Sequence, residues 1–209
     1  MDRRPSSRRQ SRRNDAAGWV DFDSCEIEPR RAWGETLGGA RYVVAMEPSA
    51  PDSAAWAVDL RGRLDELLDG YRAALHDSLD DLSEEQARRH LVPSKTTLLG
   101  LLKHVTYVEG VWFDQAVTGR SYKEIGIAST PDRSFTLAKS DTIASVRAAH
   151  ESRCAASRIS MMELTLDDVV AGRGERSVWA LYLQVLRELA QHAGHSDILR
   201  EQVLAGRTS

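Results

Sequence analysis

From Asp59 onward, apolar residues recur three or four positions apart. Leu60, Leu64, Leu67, Tyr71, Leu75 and Leu79 form one such series, with Arg61, Asp65, Asp69 and Arg72 outside it. An α-helix turns about 100° per residue, so these positions share one face. They predict a first helix ending near Asp80. Ser83-Glu84-Glu85-Gln86 has the spacing of a capping box that opens a short helical turn. A second stripe, Leu98, Leu101, Val105, Val108 and Trp112, follows the N-cap candidates of Ser94-Lys95-Thr96-Thr97 and should end near Val117.

Residues 119–139 lack a period and contain Gly119, Gly126 and Pro131, which predicts a long connection of the functional or crossover kind. A third helix is expected from about Asp141, capped by Ser140 or Asp141, to Met162. Its inward set is Ile143, Val146, His150, Cys154, Ser157 and Met161, a polar face for a core. Thr165-Leu166-Asp167-Asp168 should cap a short helical turn ending at Gly172 or Gly174. Ser177 then opens a fourth helix that runs to about Leu204 and ends at Gly206. Long helices without a convincing strand predict an all-α protein, a four-helix bundle.

The first fifty residues have a different texture. Met1 to Asn14 carries six arginines among Ser, Pro and Gln, which cannot build a core and reads as disordered. Asp15 to Arg31 contains five acidic residues and no apolar stretch, so the paired arginines do not make an export signal. Tyr42-Val43-Val44 allows one short strand. Met46-Glu47-Pro48 looks like the start of a compact protein, which divides the chain into an extension over 1–50, disordered or an artefact of start-site choice, and a domain over 51–209. A net charge of −3 gives no reason to expect nucleic acid as the main partner, and the arginine arm is the one place it could bind. Two cysteines, Cys25 and Cys154, make no disulfide framework and fit a cytoplasmic protein. No apolar run approaches the roughly eighteen residues of a membrane span.

Chemistry concentrates in the fourth helix. Leu181, Val185, Glu188, His192, His195, Leu199 and Val203 fall on one line, so a carboxylate and two imidazoles occupy a stripe that should be apolar. Buried charge is costly unless paired or bound to a metal. Two readings follow: a buried hydrogen-bond network, or a metal site. Glu188 and His192, four apart, can converge on one point. A third ligand must come from a facing helix, and His104, about 60° from the centre of the second stripe, is the candidate. Two histidines and a carboxylate with open positions suit a catalytic divalent ion, zinc, nickel or iron. His195 is a further ligand, a partner to a ligand, or a group that moves protons. Gly194 costs helix propensity, which points to close packing there. His76, off its stripe, and His90, before Pro93, read as solvated. His150 and Cys154 stand one turn apart and read as cavity lining or as support to a site, with an inert small core cysteine as the equal alternative. Arg153 and Arg158 read as solvated helix charges, with a carboxylate of a ligand as the alternative.

Leu98-Leu99-Gly100-Leu101-Leu102-Lys103-His104-Val105-Thr106-Tyr107-Val108-Glu109, with Trp112-Phe113, resembles the second helix of DinB-like (YfiT-like) proteins. The run E-L-A-Q-H-A-G-H-S-D-I-L from Glu188 resembles their fourth helix, and Pro93-Ser94-x-Thr96-Thr97 adds to the likeness. The similarity covers roughly residues 56–204 and is closest to the mycothiol-dependent branch. It implies an up-down-down-up four-helix bundle, which the long connection before helix three suits. It also implies a divalent metal, zinc ahead of nickel or iron, held by His104, Glu188 and His192. The reaction implied is metal-dependent thiol transfer or detoxification with a low-molecular-weight thiol such as mycothiol and a small electrophile. For the proton, the sequence offers His195 as the catalytic residue, with His150 as the alternative. A metal-binding stress-response bundle without turnover is the alternative. A homodimer is a further expectation. The chain ends soon after helix four, which speaks against the maleylpyruvate isomerase reaction of relatives carrying an added C-terminal domain.

Overall fold

Side-chain oxygens cap the helices where the hydrophobic stripes begin. In the computed structural model, which describes residues 59–206, Asp59 accepts the Gly62 N–H at the start of α1 (Leu60–Asp77). Ser83 forms a reciprocal capping box with Gln86 on α2 (Glu84–Ala87). Thr97 accepts the Gly100 N–H at the start of α3 (Leu98–Gly110). That helix runs on through one π turn (Val111–Gln115) into α4 (Ala116–Thr118). Two helical turns, α5 (Tyr122–Ile125) and α6 (Pro131–Ser134), break up the long connection. Thr142, not Ser140 or Asp141, caps α7 (Ile143–Met161), and Asp141 instead takes the Lys103 ammonium at 2.7 Å. After α7 comes a hairpin of β1 (Val169–Val170) and β2 (Arg176–Ser177), then α8 (Val178–Ala205).

Cross-helix contacts give the helix directions. Lys103 meets Asp141 and Asp114 meets Arg153, so α3 and α7 are parallel. Tyr182 meets Asp65, and Arg200 meets the carbonyl of Ser78, so α1 and α8 are parallel. Arg158 meets Asp69, and Arg147 meets Asp80, so α1 and α7 are antiparallel. His104 lies beside His192 and Phe113 beside Tyr182, so α3 and α8 are antiparallel as well. The protein is an all-α bundle, up-down-down-up, and the segment between α4 and α7 is the crossover that a parallel α3/α7 pair requires. One core fills its interior, with Leu68, Leu75, Leu99, Leu101, Leu102, Val185 and Leu189 at most 1% exposed.

Several expectations are corrected by the packing. The α1 face turns inward at Leu68 and Arg72 rather than at Leu60, which is 58% exposed, because Arg72 is neutralised by the buried Glu109. The segment after Thr165 is not a helical turn: the Asp168 carboxylate accepts the Thr165 N–H, and the chain turns into the hairpin. This hairpin docks through Gly172, whose N–H donates to Ala116 O at 2.9 Å and whose Cα lies so close that a Cβ would sit 2.2 Å from Gln115 O. Gly194 faces open space, not a packed neighbour. Phe113, after the start of the π turn, is buried against Tyr182, while Trp112 is half-buried beneath Arg173 and Arg176. Among the described residues no helix is long and apolar enough to cross a membrane. The arginine-rich arm, the strand at Tyr42-Val43-Val44, the Met46 start, the division of the chain near residue 50 and Cys25 lie outside the described residues.

Candidate metal centre

His104, Glu188 and His192 come together from α3 and α8, with ligating atoms within 4.8 Å of one another. They are 0%, 4% and 6% exposed. Helix geometry places the α8 pair: a four-residue step returns to nearly the same face, which puts His192 Nε2 3.6 Å from Glu188 Oε2. The antiparallel crossing of α3 and α8 brings His104 opposite, its ring edge-on to His192 at 4.7 Å between centroids.

Two of the three members are oriented by hydrogen-bonding neighbours. The Ser134 hydroxyl donates to Pro131 O (2.5 Å), so its oxygen accepts the Nδ1–H of His104 at 2.7 Å. That leaves Nε2 as the nitrogen with a lone pair to give. Phe135 stacks on the same ring at 4.0 Å and 9° between planes. Burial, then the neighbouring His192, pushes the His104 pKa down to about 2, so it is neutral at working pH. Glu188 Oε1 accepts from Gln184 Nε2 (2.9 Å) and Arg187 Nη2 (2.6 Å), while Oε2 faces His192.

His192 has no hydrogen-bond partner at either ring nitrogen, although both are buried. An orphaned buried donor or acceptor costs about 1–3 kcal/mol, and coordination to a cation removes that cost at the lone-pair nitrogen. A neutral imidazole and a carboxylate, each held by an outer hydrogen bond, and a second imidazole form a donor set suited to a divalent ion.

The other candidates separate from this group. His195 is exposed at the rim, its ring centroid 5.7 Å from that of His192. Ser196 is the inward residue at that level, its hydroxyl on Ala193 O. Burial foremost, then His192, lowers the His195 pKa. His76 is not solvated: it is half-buried, with Nε2 2.8 Å from His150 Nδ1. His90 is exposed. Arg153 is bound to Asp114 and Ile125 O, and Arg158 is bound to Asp69. Sequence reasoning missed Ser134 and Phe135, which lie in an aperiodic connection and reach His104 only through the crossover. Gln184 was legible in principle, being four residues before Glu188.

A family model described as mycothiol S-transferase matches residues 63–205. No curated protein and no solved structure matches the chain.

Proposed function

The chain belongs to the mycothiol S-transferase family, and from that premise we propose that it transfers a small thiol of the mycothiol type to an electrophile at a metal centre held by His104, Glu188 and His192. The observation that carries this reading is the buried donor set itself, with both His192 nitrogens lacking any hydrogen-bond partner. A bound divalent ion, zinc by choice of donors, would hold the thiol sulfur as thiolate at neutral pH.

The residues contribute separately. Ser134 fixes the His104 tautomer, and Phe135 covers that ring and keeps water from it. Glu188 supplies the one negative charge of the set, and Gln184 and Arg187 keep its second oxygen occupied. His195, exposed and with its pKa lowered, is a neutral base at neutral pH that can take the thiol proton and pass it to solvent. With an alkyl halide as acceptor, sulfur forms the new C–S bond, the C–halogen bond breaks and halide leaves.

The test combines mycothiol, an alkyl halide and protein purified without a histidine tag. Conjugation is expected to depend on metal, to vanish in His104→Ala and His192→Ala, and to fall in His195→Ala with metal content unchanged. A wild-type protein with metal bound but no conjugation sinks the transferase reading. The depth of the set, with His104 fully buried, favours one second reading, a metal-binding bundle without turnover, which that same outcome would support. Metal well below one equivalent sinks both.

A further inference from the structure

A second group of ligating side chains lies on the opposite flank of α3. His104 and Glu109 are five residues apart, which turns them about 140° from each other around the helix. His104 faces α8, and Glu109 faces α1 and α7. There Glu109, His150 and Cys154 offer a carboxylate oxygen, an imidazole nitrogen and a sulfur within 4.8 Å of one another, all three buried. Spacing alone displays only His150 and Cys154, one turn apart on α7. The parallel packing of α3 on α7 adds the third.

Three features resemble a built site rather than ordinary core. First, Glu109 Oε1 accepts from Arg72 Nε (2.8 Å) and Nη2 (2.7 Å), but Oε2 is buried with no partner. The Ser157 hydroxyl, one turn beyond Cys154, is likewise buried and without a partner. Second, His150 is oriented from behind. The Cys154 thiol meets its Nε2 at 3.5 Å, and its Nδ1–H points to His76 Nε2 at 2.8 Å. An outer partner of that kind sets tautomer and direction in imidazole ligands. Third, a cleft of about 570 Å³ reaches Arg72, the partner of Glu109, and Ser157, one turn beyond Cys154, although the three ligands themselves lie behind its wall.

We propose that Glu109, His150 and Cys154 form a second divalent-metal site, separate from the His104 centre and selective for a thiophilic ion such as zinc. Glu109 Oε2, His150 Nε2 and the Cys154 sulfur are the ligands. Binding releases one proton, that of the Cys154 thiol, to solvent. Asp69, Glu109 and the thiolate bring three negative charges against Arg72, Arg158 and the ion, and the one positive charge left over is at the solvent-exposed Arg158. Arg72 stays on Oε1 and holds the carboxylate in place. Without metal, burial and then the Glu109 charge push the Cys154 thiol up to about 12, so the sulfur is protonated until an ion displaces the proton.

Cobalt(II) titration of the tag-free full chain tests this. Cobalt bound by the first centre has no sulfur ligand, so a thiolate-to-cobalt absorption in the near ultraviolet reports the second site alone. The wild type is expected to bind two equivalents and to show that absorption. His104→Ala and Cys25→Ser should keep the absorption, and Cys154→Ser should lose it together with one equivalent. A wild type that binds cobalt without the absorption overturns the proposal, whatever the variants do. Loss of the absorption in Cys25→Ser overturns it as well.

Discussion

Ser134 reaches His104 from a connection thirty residues away in sequence, and that single contact sets which imidazole nitrogen can donate a lone pair. Removing such an outer partner commonly lowers metal affinity about 10–100-fold. Ser134→Ala should therefore weaken metal binding by that factor, as measured against a competing chelator, while far-UV circular dichroism stays unchanged. An unaltered affinity would show that Phe135 stacking alone orients the ring. Histidine burial also has a pH signature in the metal-free protein. Burial foremost lowers His104 to about 2, with His192 adding, and lowers His150 to about 3, with His76 and then Arg72 adding. Below the unfolded value near 6.5 the unfolded chain binds protons at these sites and the native chain does not. Their stabilising contribution is thus present above about pH 6.5 and lost as pH falls toward the folded values. The two together should remove roughly 2 kcal/mol between pH 6 and pH 5. Urea unfolding of chelator-treated protein at those pH values checks this, and a flat profile contradicts it.

Among the elements, α3 is the one on which both ligand groups depend, because it presents His104 to α8 and Glu109 to α1 and α7. Its C-terminal continuation is clamped by the 169–177 hairpin at Gly172. Gly172→Ala puts a Cβ 2.2 Å from Gln115 O and 2.8 Å from Ala116 O, both backbone atoms. The forced shift should cost about 1–3 kcal/mol. Gly194→Ala is its opposite: nothing lies within 4 Å of the added carbon, and α8 continues through the position. There the gain in helix propensity should stabilise by about 0.5–1 kcal/mol. Thermal unfolding of the pair tests the two environments, and a Gly194→Ala protein that melts lower than wild type refutes the open-space reading. Among the element boundaries, the hairpin escaped the sequence because Thr165-Leu166-Asp167-Asp168 fits a helix cap as well as a β-turn closed from Asp168 N–H to Thr165 O, and only contact with α4 distinguishes them.

At the scale of the molecule, a metal at the His104 centre ties α3 to α8, two helices with more than eighty residues between their ligands. A ligand that binds only the folded state stabilises by mass action, by about 4 kcal/mol at a thousandfold excess over its dissociation constant. A domain of this size shifts by roughly 2–4 °C per kcal/mol. Chelation should thus lower the melting temperature by roughly 10 °C, and His104→Ala should be largely insensitive to it. An equal response in that variant would place the stabilising metal elsewhere, with the Glu109 group as the candidate.

The sequence by itself determined what adjacent residues can encode. Helical period in the leucines, caps at Ser83 and Thr97, the missing period over 119–139 and the four-residue step from Glu188 to His192 are local features of the helical turn and its ends. The bundle was therefore legible, and so was half of the candidate site. Tertiary structure decided whatever depends on the phase of one helix against another. From His192, positions 195 and 196 lie about 60° to one side and 40° to the other, and packing chose Ser196 for the interior and left His195 at the rim. Arg72 reads as surface until Glu109 meets it across the core. His150 and Cys154 remain a pair until the crossover lets α3 run parallel to α7 and supply a third ligand. Those partners are set by helix direction and rotation, quantities that no window of neighbouring residues contains.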